Sequence, residues 1–266
     1  MSQASTTASP ERRGALRLLW GIVVKPRATL EYLSERGGRT WWLPTLLVVI
    51  CATLPVFVAA PITARQSREA VAAMQEQFGE ATSPEQQAQM DQAMTLAASP
   101  LITVVFPAIT SVVGLVVGWL IWGGALHLTG MMLGGRSTFG QVFRMVMWAW
   151  IPYGLRGLLQ AVYILASGQL IANPGLSGLV ANDRPLSEMV VSPPGPGQMI
   201  LTAFLSRLDL FLVWNLILLV IGVNVTTHLS KRKAVLVTVG VWLLLTALSL
   251  VPTLVSGLFA RQMSIP

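Results

Sequence analysis

LDLFLVWNLILLVIGVNVTTHLSKRKAVLVTVGVWLLLTALSLVPTLVSGL, residues 208–258, decides how this chain must be read. Two apolar runs, Leu208 to Thr227 and Ala234 to Leu258, flank a short turn that carries Lys231, Arg232 and Lys233. A helix needs about 20 apolar residues to cross the ~30 Å hydrocarbon core of a bilayer, and both runs reach that length. Basic residues clustered between two such runs mark a turn held on the cytoplasmic side. The pattern predicts two membrane helices joined at the inner surface.

Working outward, three further runs precede this pair: Trp42 to Ile62, Leu101 to Met131 and Met145 to Ala166. Pro44, Pro55, Pro107, Pro152 and Pro252 fall within or at the ends of these segments. In lipid such prolines are tolerated where neighbouring helices or hydroxyl groups satisfy the freed carbonyls. The run from Met145 is the weakest, because Pro152, Gly154, Arg156, Gly157 and Gln160 interrupt it. The basic residues argue that it crosses. Arg12, Arg13, Arg17, Lys25, Arg27, Arg36 and Arg39 precede the first run, and Arg136 and Arg144 lie between the second and third. With five crossings these residues fall on the same side as Lys231–Lys233, while Arg65, Arg68, Arg184 and Arg261 fall on the other. With four, the basic turn would land outside. The expected fold is an all-α polytopic membrane bundle of five transmembrane helices, N-terminus cytoplasmic and C-terminus outside.

Composition agrees. Only 11% of residues are charged and 53% are hydrophobic, with mean hydropathy +0.65, whereas a water-soluble domain carries roughly 25% charged residues. The net charge of +7 would raise nucleic acid as a partner, but the cations sit at the ends of apolar runs rather than in an aromatic-interleaved patch. The lipid bilayer is the expected partner, and nucleic acid is excluded. Cys51 is the single cysteine, so no intrachain disulfide forms. The first run begins at Trp42, too far in for a secretory signal.

Residues 1–40 form the expected cytoplasmic segment, polar and disordered over 1–11. Leu16, Leu19, Trp20 and Val23 share one helical face, with Arg12, Arg13, Arg17 and Lys25 able to meet lipid phosphates. That predicts either a helix in the interface plane or one packed on the membrane domain. Pro26 ends it, and Arg27–Ser34 forms a second short turn. The membrane domain is placed at 41–258, with a short tail at 259–266. Within it, the polar loop 64–99 reads as an extra-cytoplasmic helical hairpin: Val71, Met74 and Phe78 form one stripe, Met90, Met94 and Ala97 the other, and Ser83-Pro84-Glu85-Gln86 is a helix start between them. The Gly/Pro-rich loop 167–199 reads as irregular.

Arg156 is the most informative single residue. A charge near the middle of a span costs about 2.5–3.5 kcal/mol on insertion scales, so it faces the bundle interior and finds a partner. Asp209 is the best acidic candidate. The pair reads as a polar centre for a solute or proton, or as an ion pair fixing helix register; a third reading has Arg156 snorkelling to the interface. Thr110, Gly114 and Gly118 form a small-residue face that favours close helix packing, within the bundle or against a partner. His127 and His228 lie near the ends of their runs without the cysteines or clustered carboxylates of a metal site, so no metal or cofactor is expected. Gly134-Gly135-Arg136 lacks the lysine of a phosphate loop and reads as a turn. The tryptophans, Trp41, Trp42, Trp148 and Trp150 among them, fit an interfacial belt. No set of catalytic residues assembles at matched depths, and an enzyme is not expected.

The stretch Asp209-Leu-Phe-Leu-Val-Trp214-Asn215-Leu-Ile-Leu-Leu-Val-Ile-Gly222, followed by Ser230-Lys231-Arg232-Lys233-Ala234, resembles the signature of the Yip-one domain family, the Ypt-interacting-protein-like membrane proteins. Lys25-Pro26-Arg27-Ala28-Thr29-Leu30 and Gly134-Gly135-Arg136-Ser137-Thr138-Phe139, leading to Ala149-Trp150-Ile151-Pro152, are similar to it more loosely. The resemblance spans residues from about 20 to 258. It implies a five-span membrane protein. The five spans, the Thr110/Gly114/Gly118 face, the extra-cytoplasmic hairpin and the lack of catalytic residues make a non-enzymatic protein that binds other membrane proteins the expected function. Eukaryotic relatives act with small GTPases in vesicle trafficking; some prokaryotic ones are associated with ABC-type export systems. The short turns here look more like the prokaryotic branch, which implies a prokaryotic cell membrane. Asp209, Trp214 and Gly222 are motif members without a transferred role. The competing expectation is a small-solute transporter or channel using Arg156 and Asp209.

Overall fold

The computed structural model describes residues 14–36, 40–78, 99–180 and 195–263, with isolated positions between 88 and 96. The described residues contain helices and turns but no strand. The helices are α1 (Ala15–Val24), α2 (Pro26–Arg36), α3 (Trp42–Phe78), α4 (Phe106–Met132), α5 (Phe139–Ala149), α6 (Ile151–Ser167), α7 (Pro196–Leu205), α8 (Leu210–Thr227) and α9 (Lys231–Met263). A π-helical turn, Leu101–Val105, leads into α4, and a 3-10 turn, Ser177–Leu179, lies in the loop after α6.

Four stretches are long and apolar enough to cross a membrane: Trp42–Glu69, Leu101–Met132, Leu210–Thr227 and Lys231–Leu258. Their outer faces carry large exposed apolar side chains, among them Ile50 and Phe57 on α3, Val113 and Val117 on α4, and Leu236, Leu244 and Leu248 on α9. A contiguous surface of this kind would associate in water; lipid is the solvent that matches it. The protein is a multi-pass integral membrane protein.

The core lies where α5 and α8 meet α1, α2 and α9. Val142, Val146 and Trp148 of α5 pack with Leu218, Leu219 and Val223 of α8, Ala234 and Val237 of α9, and Leu18, Ile22 and Leu30 from the N-terminal helices. The face foreseen for α1 is the exposed one: Leu16 and Trp20 point outward while Leu18 and Ile22 are buried. The buried side of α1 thus packs on the membrane domain, and its exposed side carries Leu16, Trp20 and Val23.

Three stretches differ from the sequence-based expectation. The weak third run is two helices that meet at Trp150, and α6 alone, at 17 residues, is shorter than a full crossing. Val71, Met74 and Phe78 fall in the continuation of α3, a single helix of 37 residues, while the second stripe of the expected hairpin, Met90, Met94 and Ala97, lies outside the described residues. The Ser83-Pro84-Glu85-Gln86 start lies outside the described residues, as do residues 1–11. Finally, the supposedly irregular Gly/Pro-rich loop ends in a helix: Pro196 occupies the first turn of α7, where its missing N–H is no loss.

Candidate functional site

The site begins with a proline. Pro152 has no N–H to bond one turn back, and the chain responds by closing α5 and restarting as α6. The N–H of Tyr153 turns to the Trp150 carbonyl at 2.9 Å, leaving the Ala149 carbonyl without its usual helical partner. The Asn215 side-chain amide of α8 donates to that carbonyl at 2.7 Å. Asn215 is 1% exposed, so this bond forms away from water, where an unmet carbonyl is most costly. The other end of α5 is fixed by a capping box, in which the Gln141 N–H donates to the Thr138 hydroxyl and the Thr138 N–H to the Gln141 side-chain oxygen.

One turn beyond the break, α6 carries Arg156. Its Nε lies 3.1 Å from Asp209 Oδ2. The two side chains are 25% and 14% exposed, a half-sheltered pair. Asp209 has a second task as N-cap of α8, its Oδ1 accepting from the Leu212 N–H at 2.8 Å. The cap fixes the carboxylate at the helix start, and the guanidinium comes to it. Trp122 meets Trp150 edge-on, ring centres 5.5 Å apart, and Trp150 meets Tyr153 at a tilt, 5.7 Å apart; Trp122 and Tyr153 line the cavities beside Arg156. Arg156 borders a cavity of about 720 Å³ on one side and a smaller one of about 440 Å³ on the other.

Glycines set how closely α6 can approach. A Cβ at Gly157 would collide with the backbone carbonyl of Cys51 on α3, and one at Gly154 would press on Val48 at 3.4 Å. Gly222 of α8 is closed off by the Met145 side chain in the same way. Gly114 and Gly118 differ: a Cβ at either would meet nothing within 4 Å among the described residues. Thr110 is exposed one turn earlier on the same helix. His127 packs its ring edge-on against Phe139, centres 6.0 Å apart, and His228 closes α8 in the left-handed region at φ 58°. Trp214 is partly buried against the core.

Sequence reasoning singled out Arg156, Asp209, Trp214 and Gly222 but gave Asn215 no task and passed over Gly157 as a mere interruption. The signal for Asn215 was an amide inside an otherwise apolar run. Another residue it barely weighed is Arg207, whose guanidinium donates from Nη1 to the Ser249 hydroxyl and lies 3.5 Å, through Nη2, from the Ser249 carbonyl on α9.

Comparison with known proteins agrees with this architecture. No curated protein and no solved structure matches the chain. The sequence profile of the Yip1 domain matches residues 20–258, a range that begins in α1 and runs through the Arg156–Asp209 pair into α9. This chain belongs to the Yip1 domain family.

Proposed function

We propose that this protein is a five-span, non-enzymatic membrane protein of a prokaryotic cell membrane that works by binding other membrane proteins, an ABC-type export system being the partner class to test first. Support for the fifth crossing comes from the chain path. The Arg136 N–H donates to the Thr227 carbonyl at 3.0 Å, and Lys233 Nζ to the Leu133 carbonyl at 2.9 Å. The turn after α4 and the turn after α8 thus lie at one end of the bundle. Asp209, at the start of α8, lies about 27 Å from its end at 1.5 Å per residue over 18 residues. Between these turns the chain passes from one end of the bundle to the other, which supports α5 with α6 as the pair that carries it across. Arg27 and Glu31 of α2 share a pocket with Asn224 and His228, which brings the basic N-terminal segment to the same end as Lys231–Lys233. The positive-inside rule supports a cytoplasmic location for that end.

The observation that carries the binding reading is the open face of α4. Small residues on a membrane helix allow another helix to approach closely, yet Gly114 and Gly118 have no such neighbour among the described residues. A transmembrane helix of a partner, itself small-faced at the contact, fits there. Purification in mild detergent followed by mass spectrometry tests this: a reproducible membrane partner lost in Gly114→Leu/Gly118→Leu supports it, and no reproducible partner counts against it. The transporter reading requires Arg156 to be free to meet a solute, and its ion pair with Asp209 weighs against that.

A further inference from the structure

The larger cavity beside Arg156 lies between α4, α6, α8 and α9, in the half of the bundle away from the Lys231–Lys233 turn. Its walls are largely apolar and aromatic, with Trp122, Leu212, Trp242 and Leu245 among them. Its outer edge is formed by Ile121 and Leu248, which are 49% and 58% exposed on the bundle surface. Inside a bilayer those exposed side chains face acyl chains, so the cavity is open to lipid along that edge.

The charge lining it is of one sign. Among the described residues, Arg156 and Arg207 are the charged residues in the wall, and no acidic residue joins them. Arg156 is neutralised by Asp209. Arg207 is not: among the described residues its bonds go to the neutral hydroxyl and carbonyl of Ser249. That hydroxyl has already committed its proton to the Thr246 carbonyl, at 2.7 Å. A guanidinium presents five donors, so Arg207 keeps donors free for an anion. Its depth suits a particular one. Arg207 sits just before the α8 N-terminus, about 27 Å along the helix axis from Thr227, which is close to the ~30 Å hydrocarbon thickness. Headgroup phosphates begin just outside that thickness, within reach of a long arginine side chain.

We infer that this cavity binds one acidic glycerophospholipid, its phosphate held by Arg207 and an acyl chain laid along Ile121, Trp242 and Leu245. Free phosphate would gain nothing from the apolar walls. A zwitterionic lipid would bring an ammonium group to a wall that offers it no carboxylate. The cavity volume of about 720 Å³ falls in the range of about 300–1,000 Å³ usual for small-molecule sites. The proposal goes beyond the partner-binding reading; the two share Gly118, which also lines this cavity, so the test below leaves Gly118 unchanged.

Native mass spectrometry on the full-length protein, delipidated in a neutral detergent, tests it by titration with short-chain phosphatidylglycerol, phosphatidylcholine of equal chain length, or glycerol 3-phosphate. One phosphatidylglycerol should be retained per chain. Arg207→Gln should weaken that retention at least about tenfold, the loss of one charge-assisted hydrogen bond, and Arg207→Lys should restore most of it. Ile121→Trp, which fills the mouth without changing charge, should weaken it too, and Lys231→Gln at the opposite end should not. Equal retention of phosphatidylcholine overturns the headgroup assignment, and equal binding of glycerol 3-phosphate overturns the lipid. Undiminished binding by both Arg207→Gln and Ile121→Trp overturns the site.

Discussion

The Asn215 side chain reaches across from α8 to the Ala149 carbonyl, 2.7 Å away, at the point where Pro152 interrupts the helical hydrogen-bond ladder. The proline and the asparagine are far apart in sequence but form one device. The first breaks the ladder, and the second satisfies the acceptor set free. The break lets α5 pack in the core while α6 leans against α3, where Gly154 and Gly157 admit the backbone closely.

If that is so, Asn215→Leu should cost about 1–3 kcal/mol, the penalty of an orphaned buried acceptor. Combining it with Pro152→Ala, which restores an N–H and lets the ladder close, should cost less than the sum of the two single changes. Equilibrium unfolding in mixed micelles measures the difference. Simple additivity would show that the two residues act independently.

Asp209 has two separable roles. Asp209→Asn keeps a capping oxygen for Leu212 but gives up the charge opposite Arg156, whereas Asp209→Ala loses both. The alanine variant should be the less stable by about 1 kcal/mol, the worth of an N-cap. In the Asp209→Asn background, Arg156→Gln should then be nearly neutral or stabilising, since it removes a cation left without its partner. Melting temperatures of the three variants decide it.

Gly157 and Gly118 should respond in opposite ways to the same change. Gly157→Ala places a methyl group against the Cys51 carbonyl and forces α3 and α6 apart, so a loss of more than about 2 kcal/mol is expected. Gly118→Ala has open space and should lie within about 0.5 kcal/mol of the parent. Cys51, the single cysteine and buried at that contact, offers a direct reading: maleimide should label it slowly in the parent and in Gly118→Ala, and faster in Gly157→Ala.

The chain path predicts accessibility. In a Cys51→Ala background, single cysteines replacing Ser137 and Ser230 should be labelled by an impermeant reagent from the same face of the membrane, and one replacing Gln169 from the opposite face. Labelling of all three from one side would mean that α5 and α6 do not cross.

Sequence alone determined the class of solvent. Runs such as Ala234 to Leu258, without one charged residue, leave no structure stable in water, and their length sets which helices are long enough to span. Arg156 stood out in the sequence in the same way, because a guanidinium inside an apolar run has to be answered by something. Hydropathy could not locate the end of α5 or the start of α7, because a proline, a glycine or an amide in an apolar run has the same composition whether it breaks a helix, opens one or caps a neighbour. Those meanings depend on what stands opposite: Asn215 against Ala149, Gly157 against Cys51, Arg207 against Ser249. Each is a contact between distant parts of the chain, made at distances of a few ångströms, and only the packed helices decide it.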